Sequence, residues 1–139
     1  LDKLQAFIDT YPKSEYLSMA NILVKELTEK LEKKAFEIAK QYNTTAEYYR
    51  DFDAPLKTLD LFLADYPGTK YKEDALYYKF DTLFRYAINS IESKKQERLN
   101  NAKAAYNALL KFKSDTKFKE QADKQLAQLE LELTQYSNN

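Results

Sequence analysis

Residues 62–78 read FLADYPGTKYKEDALYY, and residues 7–20 carry nearly the same phrase, FIDTYPKSEYLSMA. Three copies of its second half align without gaps: Ser14-Glu15-Tyr16, Thr69-Lys70-Tyr71 and Thr116-Lys117-Phe118. Each is hydroxyl, charge, aromatic, and four residues after each aromatic stands an alanine, Ala20, Ala75 or Ala122. A hydroxyl ahead of an amphipathic run can accept from the unpaired first-turn amides of a helix, the mark of an N-cap. An aromatic and an alanine four apart share one helical face, large beside small. Tyr11-Pro12 and Tyr66-Pro67 come just before. Proline lacks the amide that continues a helix and pushes its predecessor out of the helical region. Each phrase therefore reads as a joint of helix end, tight turn and capped helix start, near 11–16, 66–71 and 113–118.

Worked outward from the joints, the pattern predicts helices throughout. The first ends near residue 10, and a long one spans Glu15 to Tyr42. Along it Ile22, Leu23, Leu27, Leu31, Ala35, Ile38, Ala39 and Tyr42 fall at helical spacing. Asn43-Thr44-Thr45 weakens the pattern and leaves 43–53 open between helix and loop. Asp53 is suited to cap a helix from Ala54 to Asp65, with Pro55 accommodated in its first turn. Further helices follow from Lys70 to about Ser90, from a capping box at Ser93-Lys94-Lys95-Gln96 to about Phe112, and from Lys117 to about Tyr136. Helix pairs meeting at a recurring joint imply an all-α, TPR-like helical-repeat solenoid: antiparallel helix pairs in one domain over 1–139, with one long shared helix. The spacing of the joints exceeds the roughly 34 residues of a standard tetratricopeptide repeat, which longer helices accommodate. At the third joint Phe112-Lys113-Ser114-Asp115 replaces Tyr-Pro, as in a terminal repeat with a polar outer face.

Composition agrees. One Gly and three Pro in 139 residues leave few turns for a sheet protein. The 22 basic and 22 acidic residues cancel, which gives no electrostatic footprint for nucleic acid or an anionic membrane. With no Cys and no His, disulfides, thiolate nucleophiles, most zinc sites and His-based triads are excluded. No metal, no cofactor and no catalytic residue is expected. The carboxylates, among them Glu29, Glu32, Glu37, Asp51, Asp53, Asp60, Asp65, Asp74 and Asp81, mostly alternate with Lys and Arg on solvated faces. Glu26–Lys30 and Glu29–Lys33 have the spacing of ordinary surface pairs. Gly68 stands alone, so there is no phosphate loop. The chain is expected not to be an enzyme. Lys111, Lys113, Lys117 and Lys119 surround the last joint, diluted by Asp115 and Glu120, and read as a solvated turn.

Twelve Tyr and eight Phe bear on binding. Adjacent helical residues point about 100° apart, so the pairs Tyr48-Tyr49 and Tyr77-Tyr78 are hard to bury whole in one core. The bland reading packs one ring and leaves the other capping a groove. The functional one makes an exposed Tyr an interface anchor. The partner-binding candidates are Tyr48, Tyr49, Arg50 and Phe52 beside the irregular connection, then Tyr77, Tyr78 and Arg85 on the following helix.

The stretch YPKSEYLSMANILVKELTEKLEKKAFEIAKQY, with FLADYPGTKYKEDALYY and AINSIESKKQERLNNAKAAYNALLKF downstream, resembles the carboxy-terminal TPR region of the BamD family. These are lipoproteins of the outer-membrane β-barrel assembly machinery. The resemblance implies a non-catalytic scaffold on the periplasmic face of the bacterial outer membrane, its carboxy-terminal half docking the periplasmic POTRA domains of BamA. It implies further amino-terminal repeats that meet unfolded outer-membrane proteins, and a lipid anchor as the only membrane attachment. The chain starts at Leu1 with a helical pattern under way and is read as a fragment without those parts. The connection around Asn43–Asp53 is longer than in some members. The alternative is another periplasmic TPR adaptor that binds peptides or proteins in envelope complexes.

Overall fold

The computed structural model describes residues 2–10 and 16–137, with only the backbone at 7–10. The body of the first expected joint, 11–15, lies outside the described residues. The described residues form six helices and no strand: α1 Asp2–Thr10, α2 Leu17–Tyr49, α3 Asp53–Asp65, α4 Lys72–Ile88, α5 Glu92–Phe112 and α6 Lys119–Ser137. The all-helical expectation holds.

The joints before α4 and α6 share one construction. The Thr69 hydroxyl accepts the Tyr71 amide at 3.1 Å and the Thr116 hydroxyl accepts that of Phe118 at 3.3 Å. Each hydroxyl thus folds its own turn instead of capping the helix from outside, and α4 and α6 begin later than the spacing predicts, at Lys72 and Lys119. The same hydroxyls donate to glutamates on earlier helices, Thr69 to Glu32 and Thr116 to Glu73. The ring two residues on then stacks against a ring one helical turn beyond that glutamate. Tyr71 lies on Phe36 at 4.5 Å and 6°, and Phe118 on Tyr77 at 4.2 Å and 4°. Ala75 and Ala122 are fully buried behind these stacks, where a larger side chain would hold the helices apart.

The long helix runs further than the sequence implied, through Asn43-Thr44-Thr45 to Tyr49. Thr44 and Thr45 turn their hydroxyls back onto the Lys40 and Gln41 carbonyls at 3.0 Å, so they stay compatible with the helix. The helix stops at Arg50, whose left-handed backbone (φ 55, ψ 36) lets Asp51 N–H reach the Ala46 carbonyl at 3.0 Å. The Asp51 carboxylate then accepts the amides of Asp53 and Ala54 at 3.1 and 3.0 Å. The Asp51 carboxylate, not the expected Asp53, therefore holds the first amides of α3. The expected capping box at Ser93 is also corrected: α5 already runs from Glu92, its N-cap residue is Ile91, and no side chain caps it.

Two cores flank α4. Phe36, Ala39, Leu59, Phe62 and Ala75 close the space among α2, α3 and α4. Tyr77, Phe80, Phe84, Leu99, Leu109 and Leu129 lead the larger cluster among α4, α5 and α6. Burying one such side chain is worth about 1.5–3 kcal/mol. The buried residues of α2 are Ala20 near its start and Phe36, Ala39, Asn43 and Ala46 toward its end. Of the apolar positions expected to line that helix only Ala39 is buried, and Ile22, Leu23, Leu27, Leu31, Ile38 and Tyr42 are exposed.

Candidate protein-docking surface

A polar bridge fixes the corner where α2 ends. Asn43 projects from α2 onto α4, its amide donating to the Thr82 hydroxyl at 2.7 Å and the Asp81 carboxylate at 3.1 Å. The Thr82 hydroxyl passes its own proton to the Tyr78 carbonyl at 2.7 Å. Arg85 closes the loop, donating to Asp81 at 3.0 Å and to the Asn43 carbonyl at 2.6 Å, with Glu47 at 3.7 Å. On the far side Gln125 of α6 donates to Asp81 at 2.7 Å and accepts from the Tyr77 hydroxyl at 3.0 Å. One carboxylate thus ties together three helices that are not consecutive in sequence. Its oxygens are engaged by structural donors, an arrangement that holds helices rather than moving protons.

Past this bridge the surface opens. Tyr48 and Tyr49 leave the last turn of α2 edge to face, ring centres 4.9 Å apart, and are 83% and 69% exposed. Tyr49 continues the exposed run of Ile38 and Tyr42, and these three with Gln41 and Thr45 line a shallow depression of about 380 Å³. On the other side of the corner a groove of about 530 Å³ is lined by Glu47, Arg50, Phe52, Tyr86 and Asn89. Its wall is layered: Phe52 stacks on Tyr86 at 5.2 Å, and the Arg98 guanidinium lies 4.0 Å from the Tyr86 ring centre.

The candidate residues separate accordingly. Tyr48, Tyr49 and Arg50 are exposed together at the α2–α3 corner. Phe52 is buried and offers the groove only one edge. Tyr77 is a core residue stacked under Phe118, and Tyr78 is half-buried between Phe36 and Phe118, so neither ring stands out as an anchor. Both Tyr pairs were read alike from sequence, but helix position divides them: Tyr77-Tyr78 lies where three helices converge, Tyr48-Tyr49 where one ends. Arg85 is held within the bridge. Sequence reading missed Tyr86, Asn89, Asn43 and Gln125, since isolated polar residues in a helix carry no spacing signal.

Elsewhere the charges serve the joints. Lys117 pairs with Asp74 at 2.7 Å and Lys113 with Glu73 at 3.7 Å, so the basic run at the last joint fastens it to the first turn of α4. The Thr116 hydrogen bond, helped by the Lys117 amide and both lysines, holds the Glu73 carboxyl below the usual range. Burial pushes the phenols of Tyr77 and Tyr106 up to about 12, reinforced by Asp81 and Asp123 respectively. Lys119 pairs with Asp123 at 3.0 Å. The expected pairs Glu26–Lys30 and Glu29–Lys33 do not form. Among the described residues there is no cluster of metal-binding side chains, and no helix is long and apolar enough to cross a membrane. No protein-family model matches the chain, and no curated protein matches it either.

Proposed function

We propose that the chain is a non-catalytic helical-repeat scaffold, a TPR-like solenoid that docks another protein through the corner after α2. The observation that carries this reading is the repeated joint. A threonine-to-glutamate hydrogen bond and a ring stack recur with the same partners' spacing at α3–α4 and α5–α6. Modules that dock on one another by one rule build an extended surface, and such surfaces bind through a few aromatic and arginine anchors rimmed by polar contacts. The exposed Tyr48-Tyr49-Arg50 corner has that composition.

Within that class the motif resemblance favours a place in outer-membrane β-barrel assembly, at the periplasmic face of the outer membrane. The partner is then the POTRA array of BamA. Titration of the chain with the soluble POTRA array of the same organism, followed by calorimetry, tests this. Saturable binding at about 1 μM or tighter is expected. Tyr49→Ala should weaken it without lowering the melting temperature, because an exposed ring adds little to folding. A folded, helical chain that gives no heat of binding would sink the assembly reading.

A further inference from the structure

Arg50 occupies a position that its residue type does not suit. It ends α2 with a left-handed backbone, φ 55, where glycine fits without strain and a Cβ does not. Its side chain is exposed and makes no hydrogen bond or ion pair with any described residue. Folding alone therefore favours glycine here, and the guanidinium contributes nothing within the chain. What it does is flank the groove between the α2–α3 corner and the end of α4.

The rest of the groove says what that charge is for. Arg98, laid against the Tyr86 ring, hydrogen-bonds the Ser90 hydroxyl at 2.8 Å and has no carboxylate partner among the described residues. Glu47, the groove's own acid, sits beside Arg85 at 3.7 Å. Asp51, next in sequence to Arg50, spends its carboxylate on the first amides of α3. Two guanidiniums thus remain without an anion beside an aromatic wall, and the Tyr86 hydroxyl is unbonded among the described residues. The Asn89 amide nitrogen is turned onto the Arg85 carbonyl at 2.8 Å, which leaves its side-chain oxygen for a donor from outside.

We propose that this groove takes an acidic segment of a partner protein, one carrying an apolar side chain next to a carboxylate. The apolar side chain lies along the Phe52–Tyr86 wall, and the carboxylate receives the fork of Arg50, with Arg98 adding charge from behind the ring. The Asn89 oxygen accepts a backbone amide of the segment. This rests on the protein-docking reading and gives it a chemistry.

The test uses nuclear magnetic resonance titration of the labelled chain with the blocked peptide Ac-Leu-Asp-Glu-Leu-NH2 and its uncharged twin Ac-Leu-Asn-Gln-Leu-NH2. Shifts are expected to gather at Arg50, Tyr86 and Asn89, with the acidic peptide about 10-fold tighter than its twin at low salt and losing that advantage in high salt. Arg50→Gly is the decisive variant because it should not unfold the protein. Its melting temperature should rise by about 2–4 °C as the strain is relieved, while peptide binding falls about 10-fold. The inference is overturned if those resonances stay still up to about 10 mM peptide, if the uncharged twin binds equally, or if Arg50→Gly binds unchanged. A POTRA array titrated in parallel separates the two claims. Its failure beside a binding peptide counts against the assembly partner alone, and undiminished binding to Arg50→Gly counts against the groove alone.

Discussion

Replacing Asp81 with alanine removes the one acceptor that α2, α4 and α6 share among the described residues. Three donors lose an acceptor: the Asn43 amide at 3.1 Å, which keeps the Thr82 hydroxyl, the Gln125 amide at 2.7 Å and the Arg85 guanidinium at 3.0 Å. The Asp81 and Arg85 side chains are only 18% and 19% exposed, so water substitutes poorly. A hydrogen bond to a charged group contributes about 1.5–3 kcal/mol net, and a donor stranded in a buried site costs a similar amount. Arg85 keeps the Asn43 carbonyl and Glu47, which limits the damage on that side. The expected loss is about 3–5 kcal/mol. At roughly 2.1 cal/mol/K of unfolding entropy per residue, a chain of this length loses about 10–17 °C in melting temperature. Circular dichroism at 222 nm on heating reads this directly, with urea unfolding as the equilibrium check. Asp81→Asn, which keeps one acceptor oxygen, should lose about half as much. A melting temperature within about 3 °C of the parent would refute the bridge as a source of stability.

Three further outcomes follow from the joints and the shifted groups. Phe118→Ala should cost about 2–4 kcal/mol in urea unfolding and Phe118→Leu clearly less, since the stack on Tyr77 and the cavity both depend on ring volume. Tyr77 and Tyr106 titrate near 12 in the folded chain against an ordinary 10. Their neutral forms favour folding, so the stability is complete below pH 10 and is lost as pH rises toward 12; absorbance at 295 nm should show two late phenols that Tyr77→Phe and Tyr106→Phe each reduce by one. Glu73 is shifted the other way, so its contribution is present above its ordinary value of 4.5 and lost as pH falls through its lower folded value. Glu73→Gln should therefore be less stable than the parent at neutral pH, with the gap closing in acid.

The joints were legible because their residues are forced. Proline, hydroxyl, aromatic and alanine each have a local reason to stand where they do, and those reasons survive without tertiary knowledge. The glutamate receptors were not legible. Glu32 and Glu73 look like any surface carboxylate until the joint folds back against them. The apolar stripe of α2 misled for a related reason: periodicity reports a face but not what covers it, and beside Ala39, the one buried member of that stripe, the core took Phe36, Asn43 and Ala46. At the α2–α3 corner, exposure at Tyr48 and Tyr49 could be guessed from their adjacency. The burial of Tyr77 could not, because it depends on Phe118 arriving from a joint 41 residues away in the chain. Arg50 was picked as a neighbour of aromatics; its left-handed backbone has no signature when the residue is not glycine.

The length of α2 has a mechanical consequence. Its 33 residues rise about 50 Å, and between Ala20 and Phe36 none of them is buried. Among the described residues α1 packs on α2 and on no other helix, while α3 and α4 also pack on α2. Between Ala20 and Glu32, where the Thr69 joint docks, the helix is an axle with no buried side chain. Adding one residue there would rotate one end by about 100° and advance it by about 1.5 Å without disturbing a buried contact. Two added residues would leave the ends facing nearly opposite ways, whereas seven would return them to within about 20° of their starting phase. The relative heading of the two ends is thus set by a residue count, like the timing of cams on one shaft. Insertions of seven should spare any partner geometry that insertions of two destroy.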